Sequence, residues 1–314
     1  LYKKGHWLNR DSADWFEEYA KVIMKYFGDR VKYYFTINEP QCFIGISNVE
    51  GRHAPGLKLG QRDIVHMIHH TLLAHGKAVK VIREARGDAQ IGYAPVGGIF
   101  SPKTDSSEDL ELARKATFAI GIDELSEREL LWSSSTFNDP AILGEYPKGV
   151  RTLMDKYILE DIDKDLEVIQ QPMDFLGVNV YQGMEIAMVN GDYEITKYTP
   201  GFASNKLGWP VTENALYYGP KFLFERYKLP LYITENGLTL SDWVSVDGKV
   251  HDPNRIDFLT RYIGRLQDAA NNGVEVNGYF QWSLMDNFEW AEGYKDRFGL
   301  IFVDYETQKR TMKD

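Results

Sequence analysis

Hydrophobic and polar positions follow two rhythms along this chain. Five short runs are apolar or β-branched and bounded by turn or helix signals, which is the pattern of buried parallel strands. They cover Val31–Ile37, Ala89–Val96, Asp174–Tyr181, Pro230–Thr234 and Val276–Trp282. Between them, apolar positions recur at helical spacing over Ala13–Tyr26, Ile64–Ala85, Leu110–Ile120, Leu216–Tyr227 and Asn254–Asn271. The alternation predicts an α/β fold, with a parallel sheet and helical crossovers. No Gly-rich dinucleotide loop follows a strand, and the strands end in polar or aromatic residues. Both features favour a TIM (β/α)8 barrel over a doubly wound sheet. The runs recur at roughly 60-residue intervals, so about five of the eight strand-helix units are expected here, in one domain over residues 1–314. The chain opens on a loop leading into a helix and stops soon after the fifth run, so further barrel material is expected at the N-terminus, and a little at the C-terminus. The segment from Trp132 to Val150, with Asn138-Asp139-Pro140 and Tyr146-Pro147, reads as a long irregular loop walling a site.

Composition narrows the function classes. A chain that is 43% hydrophobic and 13% aromatic can bury a core, which excludes disorder. Lys plus Arg is 36 against 46 for Asp plus Glu, a net charge of −10 with no basic block, so nucleic acid is not expected as a partner. No stretch approaches the roughly 20 apolar residues that span a bilayer, and Leu1–His6 lacks the apolar core of a signal peptide. A soluble protein with no membrane partner is expected. The single Cys42 excludes an intrachain disulfide framework and a Cys-based zinc site, in keeping with a cytoplasmic location. No cofactor or metal is expected: His66 and His70 stand at i, i+4, but without a His-Glu-x-x-His pattern or a third ligand. His53 reads as a structural loop residue, and the acidic segments Glu108–Glu111 and Leu159–Glu167 read as solvated helix faces.

Two runs end in a carboxylate followed by a turn residue, Thr36-Ile37-Asn38-Glu39-Pro40 and Ile233-Thr234-Glu235-Asn236-Gly237. In a parallel barrel both glutamates project into the mouth, where a partly dry pocket makes an unused charge costly. A Glu pair can divide glycoside cleavage, one protonating the leaving oxygen while the other attacks the anomeric carbon. Taken singly, each is explained as well by capping or ion pairing. With Leu176-Gly177-Val178-Asn179-Val180-Tyr181 and Gln281-Trp282-Ser283-Leu284-Met285-Asp286-Asn287-Phe288-Glu289-Trp290 added, four spaced motifs stand in order, and the sequence resembles glycoside hydrolase family 1, the β-glucosidase family, over essentially its whole length.

The resemblance implies roles by position. Glu39 is expected as general acid and then base, and Glu235 as the nucleophile that forms a glycosyl-enzyme ester, so that hydrolysis of terminal β-D-glucosyl residues proceeds by double displacement. Asn38 is expected on the sugar 2-hydroxyl, Asn179 beside the acid, and Tyr181 on Glu235. Trp282 is the implied platform under the glycone, Glu289 and Trp290 grip its outer hydroxyls, Phe298 lines the pocket, and Trp209 lines the aglycone side. The chemistry fits: a sugar has apolar C–H faces and a rim of hydroxyls, matched by aromatic rings and polar side chains. An acid working near neutral pH needs a raised pKa, which a second carboxylate beside it supplies. Retention calls for carboxyl groups about 5 to 5.5 Å apart.

Relatives that act on 6-phosphorylated glycosides generally carry a Ser in place of Glu289, with a downstream Lys and Tyr. Here Lys295 is present but Arg297 stands at the Tyr position, so an unphosphorylated β-glucoside, β-galactoside, β-fucoside or cello-oligosaccharide is the expected small substrate. The sequence also departs from the family. The Gln, Arg and His that its first three strands supply to the glycone pocket have no counterparts, and Val180 stands where an aromatic is frequent. Two alternatives therefore stay open: a truncated sugar-binding fragment without hydrolase activity, completed by the missing N-terminal segment of the barrel, and a transglycosylase.

Overall fold

The computed structural model describes every residue except Leu1, Asp123 and Leu159. In chain order the elements are α1 (Ser12–Phe27), β1 (Tyr33–Asn38), α2 (Gln61–Ala85), β2 (Gln90–Ala94), β3 (Phe100–Pro102), α3 (Ser107–Phe118), α4 (Glu127–Trp132), α5 (Ser134–Asn138), α6 (Lys148–Tyr157) and α7 (Ile162–Ile169). They continue as β4 (Leu176–Asn179), β5 (Met184–Val189), β6 (Asp192–Ile195), α8 (Ala215–Tyr227), β7 (Leu231–Asn236), α9 (Pro253–Asn271), β8 (Val276–Gln281), β9 (Ile301–Val303) and β10 (Arg310–Met312). All five predicted strands and all five predicted helices are present, and α/β is the observed class. The chain divides into two compact units, Leu1–Gly98 with Thr117–Gly177, and Ile99–Ala116 with Val178–Asp314.

In the first unit, β1 and β2 pair in parallel from Tyr33↔Gln90 to Asn38↔Ala94. Phe16, Ala20, Ile23 and Met24 share one face of α1 and close with Ala78, Val79 and Ile82 of α2 over Tyr34 and Ile91. Gly92 is small because the Phe175 ring lies against it. Helix α2 is buried along nearly its whole length, and its histidines have structural uses. His69 sits between the Tyr146 hydroxyl (3.0 Å) and Asp165 (2.8 Å), and Arg10 grips the same carboxylate with two bonds. His70 Nδ1 meets the Trp7 carbonyl and His75 Nδ1 meets Thr36 Oγ1 at 2.7 Å.

Three expectations need correction. Residues Trp132–Val150 are not an irregular site wall. They form α5, then a π-helical turn over Asp139–Leu143, then the start of α6, and Ser134–Ala141 are buried. The polar, Pro-containing sequence suggested a loop, but Asn138 serves as a buried acceptor for the Tyr93 hydroxyl. Asp165 is no solvated helix residue but the buried partner of Arg10 and His69, while Leu159, which opens that acidic segment, lies outside the described residues. Asp109 is likewise buried, accepting from Thr104 and from the Met188 amide.

Burial lowers the pKa of both His70 and His75 to about 4, although the Trp7 carbonyl partly opposes the shift at His70. Both stay neutral in the fold, whereas the unfolded chain protonates them below about 6.5. The unfolded state therefore holds more protons between pH 6.5 and 4. Stability that is complete above 6.5 is lost as the pH falls through this window, by about 3 kcal/mol per histidine. The urea midpoint is expected to fall steadily from pH 6.5 to 4.5, and less steeply in His75→Gln. An unchanged midpoint over that range contradicts the burial.

In the second unit, β4, β7 and β8 form one sheet with β7 in the middle, and β7 and β8 run parallel. A second sheet has the order β3-β5-β6. Its β5–β6 hairpin turns at Asn190 and Gly191, both left-handed, which is the Asn-Gly turn that twisted hairpins favour. A short antiparallel pair, β9–β10, follows the β8 loop. Helix α9 packs on α8, with Phe258 stacked on Tyr262, and the Tyr262 hydroxyl accepts from the Thr212 amide and donates to the Tyr181 carbonyl.

Candidate active site

The first unit carries Asn38 and Glu39 at the C-terminal end of β1. Asn38 is exposed and Glu39 half-buried. The Glu39 amide donates to the Ala94 carbonyl at 2.8 Å, so the parallel pairing with β2 extends through the carboxylate-bearing residue. Its φ is +43°, a left-handed conformation that a non-Gly residue adopts at a cost. One turn of helix then begins, as the Cys42 amide returns to the Glu39 carbonyl. Glu39 thus stands at the sharp exit from an extended strand. Below it, Thr36 is fixed by the buried His75.

The second unit assembles the other carboxylate. Glu235 is the penultimate residue of β7, and its carbonyl accepts from the Val180 amide at 2.9 Å. The Tyr181 hydroxyl donates to Glu235 Oε2 at 2.6 Å, a charge-assisted bond that holds one oxygen in place. Tyr181 is itself held by two rings: Trp209 at 5.4 Å and Phe298, edge-on, at 5.9 Å. Phe298 is buried, so its contact with Tyr181 is what fixes the phenol. Asn179 is buried and accepts from Thr234 Oγ1 at 2.6 Å, one residue before Glu235.

Trp282 follows β8 and is half-buried; its amide donates to the Asn236 carbonyl at 2.8 Å. Asn236 is buried and also binds the Val180 carbonyl and the Tyr279 hydroxyl, which locks the turn after Glu235 to both neighbouring strands. Glu289 and Trp290 lie farther along the β8 loop. Glu289 closes a tight turn with Gly293, and Trp290 is 64% exposed with φ +44°. Glu235, Tyr181, Asn179, Trp209, Phe298 and Trp282 therefore share one constellation in the second unit. Asn38 and Glu39 form the end of a strand in the first.

Other residues of the site were not anticipated. Thr234, Asn236 and Tyr279 orient the Glu235 turn, and Gly237 permits the close approach of Trp282. Gly237 lies inside a quoted motif, so its need for a small residue could have been read there. Asp286 likewise lies inside the motif Gln281–Trp290, but its partners Arg297 and Lys313 stand outside that run, so the sequence does not show what its carboxylate binds.

Comparison with known proteins bears on this geometry. The sequence model of glycosyl hydrolase family 1 matches residues 1–314. The chain belongs to that family. A 1,4-beta-D-glucan glucohydrolase of Thermotoga neapolitana is 40% identical over 319 residues, and the match covers all of this chain and 68% of that protein. Beta-glucosidase A of Thermotoga maritima is equally similar, with the same coverage. The family 1 member also matches the Thermotoga maritima beta-glucosidase solved in complex with glucoimidazole, at a TM-score of 0.85, with 39% identity and coverage of 100% of this chain and 68% of that one. Its fold is the family's (β/α)8 barrel, of which five strand-helix units are carried here, and it is a glycoside hydrolase. A 6-phospho-beta-galactosidase of Clostridium acetobutylicum is a more distant relative at 32% identity.

Proposed function

We propose that this family 1 member is a retaining β-glycosidase that releases terminal β-D-glucosyl residues from β-glucosides or cello-oligosaccharides. The observation that carries the reading is the 2.6 Å bond from Tyr181 to Glu235. A nucleophile must offer one lone pair to the anomeric carbon, and a donor on the other oxygen both orients the carboxylate and favours its charged form. Glu39 is the proposed acid, which protonates the leaving oxygen and then deprotonates the water that hydrolyses the ester. Asn38, Asn179, Trp209, Trp282, Glu289, Trp290 and Phe298 complete the proposed substrate site, and the two units are proposed to belong to one barrel domain.

The names of two relatives at 40% identity, a beta-glucosidase and a glucan glucohydrolase, support a glucosyl substrate. An unphosphorylated sugar is supported by Arg297. Its guanidinium binds Asp286 at 2.6 Å and the Val303 carbonyl, with Phe302 and Tyr305 against it, so it is already committed and does not serve as a phosphate ligand. Lys295 is paired with Glu292. No helix among the described residues is long and apolar enough to cross a membrane. A cytoplasmic location, in keeping with the single Cys, is part of the proposal.

The test is incubation with a 2-deoxy-2-fluoro-β-glucosyl inactivator followed by intact and peptide mass spectrometry. One fluoroglucosyl group on the peptide containing Glu235 is the expected outcome. Labelling at another carboxylate, or none, overturns the reading.

A second reading has its own observation. Among the described residues β1 pairs only with β2 and β8 only with β7, and these strands carry the exposed rings of Tyr33 (53%), Phe35 (40%) and Phe280 (53%). Unpaired edges with exposed aromatics favour uptake of a complementary polypeptide. On that reading labelling fails for the chain alone and appears once the complementary strands are supplied.

A further inference from the structure

Charged side chains are seldom fully buried unless paired, and the second unit buries a connected series of them. Arg255, at 1% side-chain exposure, binds Asp252 and Asp242. Lys313 bridges Asp242 and Asp286, with all three between 0% and 3% exposed. Arg297 closes the series on Asp286 at 2.6 Å. Three acids face three bases, so the series is neutral as a whole.

Its attachments to the backbone are what give it direction. The Asp286 carboxylate also accepts from the Gly299 amide (3.0 Å) and the Val303 amide (3.3 Å), so one side chain gathers both ends of the long loop after Trp282. Arg255 donates to the Leu238 carbonyl, three residues past Glu235, and to the Arg297 carbonyl, the residue before Phe298. The loop that follows the proposed nucleophile and the loop that carries Trp282, Glu289, Trp290 and Phe298 are therefore tied to the same buried ions. Thr239 adds a direct link, its hydroxyl accepting from the Arg297 amide at 3.1 Å.

A well-packed apolar cluster stabilises as well as a buried ion network or better, so stability alone does not account for six charges here. What such a network adds is geometry, because each member accepts only a narrow set of partner positions. We propose that the series centred on Lys313 is a positioning device for the glycone site, holding the β7 and β8 loops in register so that the sugar platform stands correctly over Glu235. The proposal rests on the glycosidase reading above. Lys313 and Asp242 do not touch substrate; they act through Asp286 and Arg255.

The test compares the wild-type chain with Lys313→Met and Asp242→Asn by hydrogen–deuterium exchange and by calorimetric titration with 1-deoxynojirimycin, a glucose-shaped iminosugar. Lys313→Met, which leaves Asp242 and Asp286 short of a buried partner, is expected to speed exchange in both 237–242 and 283–303 and, through the displaced loops, to weaken the iminosugar on the order of tenfold. Asp242→Asn is expected to act in the same direction with a smaller effect, and it decides the matter if Lys313→Met does not fold. Faster exchange confined to 310–314, or an unchanged Kd with a lower Tm, overturns the proposal and leaves a purely structural role. If the wild-type chain itself does not bind the iminosugar, the glycosidase reading fails, and exchange alone decides whether the ions couple the two loops: coupled loosening supports the device, and uncoupled loosening rejects it.

Discussion

Glu235→Gln is expected to lower kcat/KM on a β-glucoside on the order of 10⁴-fold or more, because a carboxamide is a poor nucleophile toward the anomeric carbon. The fold should survive the change. The two side chains have nearly the same shape, the backbone of β7 keeps its bond from the Val180 amide, and Tyr181 still meets an oxygen if the amide places its carbonyl there. Folding and catalysis are thus separable at this position, and a Tm within about 2 °C of wild type should accompany the loss, as for a nearly isosteric change. Glu39→Gln offers the contrast. An acid matters most when the leaving group is basic, so this variant is expected to lose much more rate on an alkyl glucoside than on an activated aryl glucoside. Glu235→Gln should lose rate on both. The kcat/KM for each leaving group, measured at substrate concentrations well below KM, checks the pair. If Glu235→Gln keeps more than about a hundredth of the wild-type rate, Glu235 is not the nucleophile.

Much of this molecule was legible in its sequence, for identifiable physical reasons. The strands that end at Asn38, Asn179 and Asn236 are short apolar or β-branched runs closed by polar residues, and the one ending at Asn179 is buried along its whole length. Helices α1, α2, α8 and α9 have bounds within a few residues of those expected because one periodic face meets the core. The motif residues around Glu235 were legible for a further reason: Asn179, Tyr181 and Glu235 sit at strand ends, where position in the chain sets position in space.

Longer-range pairings were less legible. Trp132–Val150 has loop composition, and only its buried partner Tyr93 reveals why Asn138 stands there. Asp109 and Asp165 look like ordinary surface acids until Met188, Arg10 and His69 are brought to them. The β5–β6 hairpin was missed despite a local signal, the Asn190-Gly191 turn between alternating positions. Lys313 and Asp286 are separated by too many residues for pattern alone to pair them.

Gly237→Ala is expected to be among the most damaging single substitutions outside the carboxylates, at about 3 to 5 kcal/mol of stability or an equivalent loss of the site. A β-carbon on Gly237 would fall well inside 3.0 Å of the Trp282 carbonyl oxygen. The obstacle is backbone, so no rotamer change relieves it, and the surrounding bonds leave little room. Asn236 is fixed by the Val180 carbonyl on one side, by the Tyr279 hydroxyl on the other, and by the Trp282 amide. Relief must come from moving β7 and β8 apart at their C-terminal ends, where Glu235 and Trp282 emerge. The variant should therefore lose iminosugar affinity and stability together, unlike Glu235→Gln, which separates them. Gly264→Ala is the control. That glycine lies inside α9 with no atom within 4 Å of the added carbon, so the exchange should stabilise by about 0.5 to 1 kcal/mol through helix propensity. Urea denaturation of both variants, with inhibitor titration of the folded fraction, makes the comparison. A Gly237→Ala protein with wild-type stability and wild-type affinity would mean that the β7 and β8 loops are not held as tightly as their hydrogen bonds imply, and the positioning role assigned to Asn236 and the buried ions would fall with it.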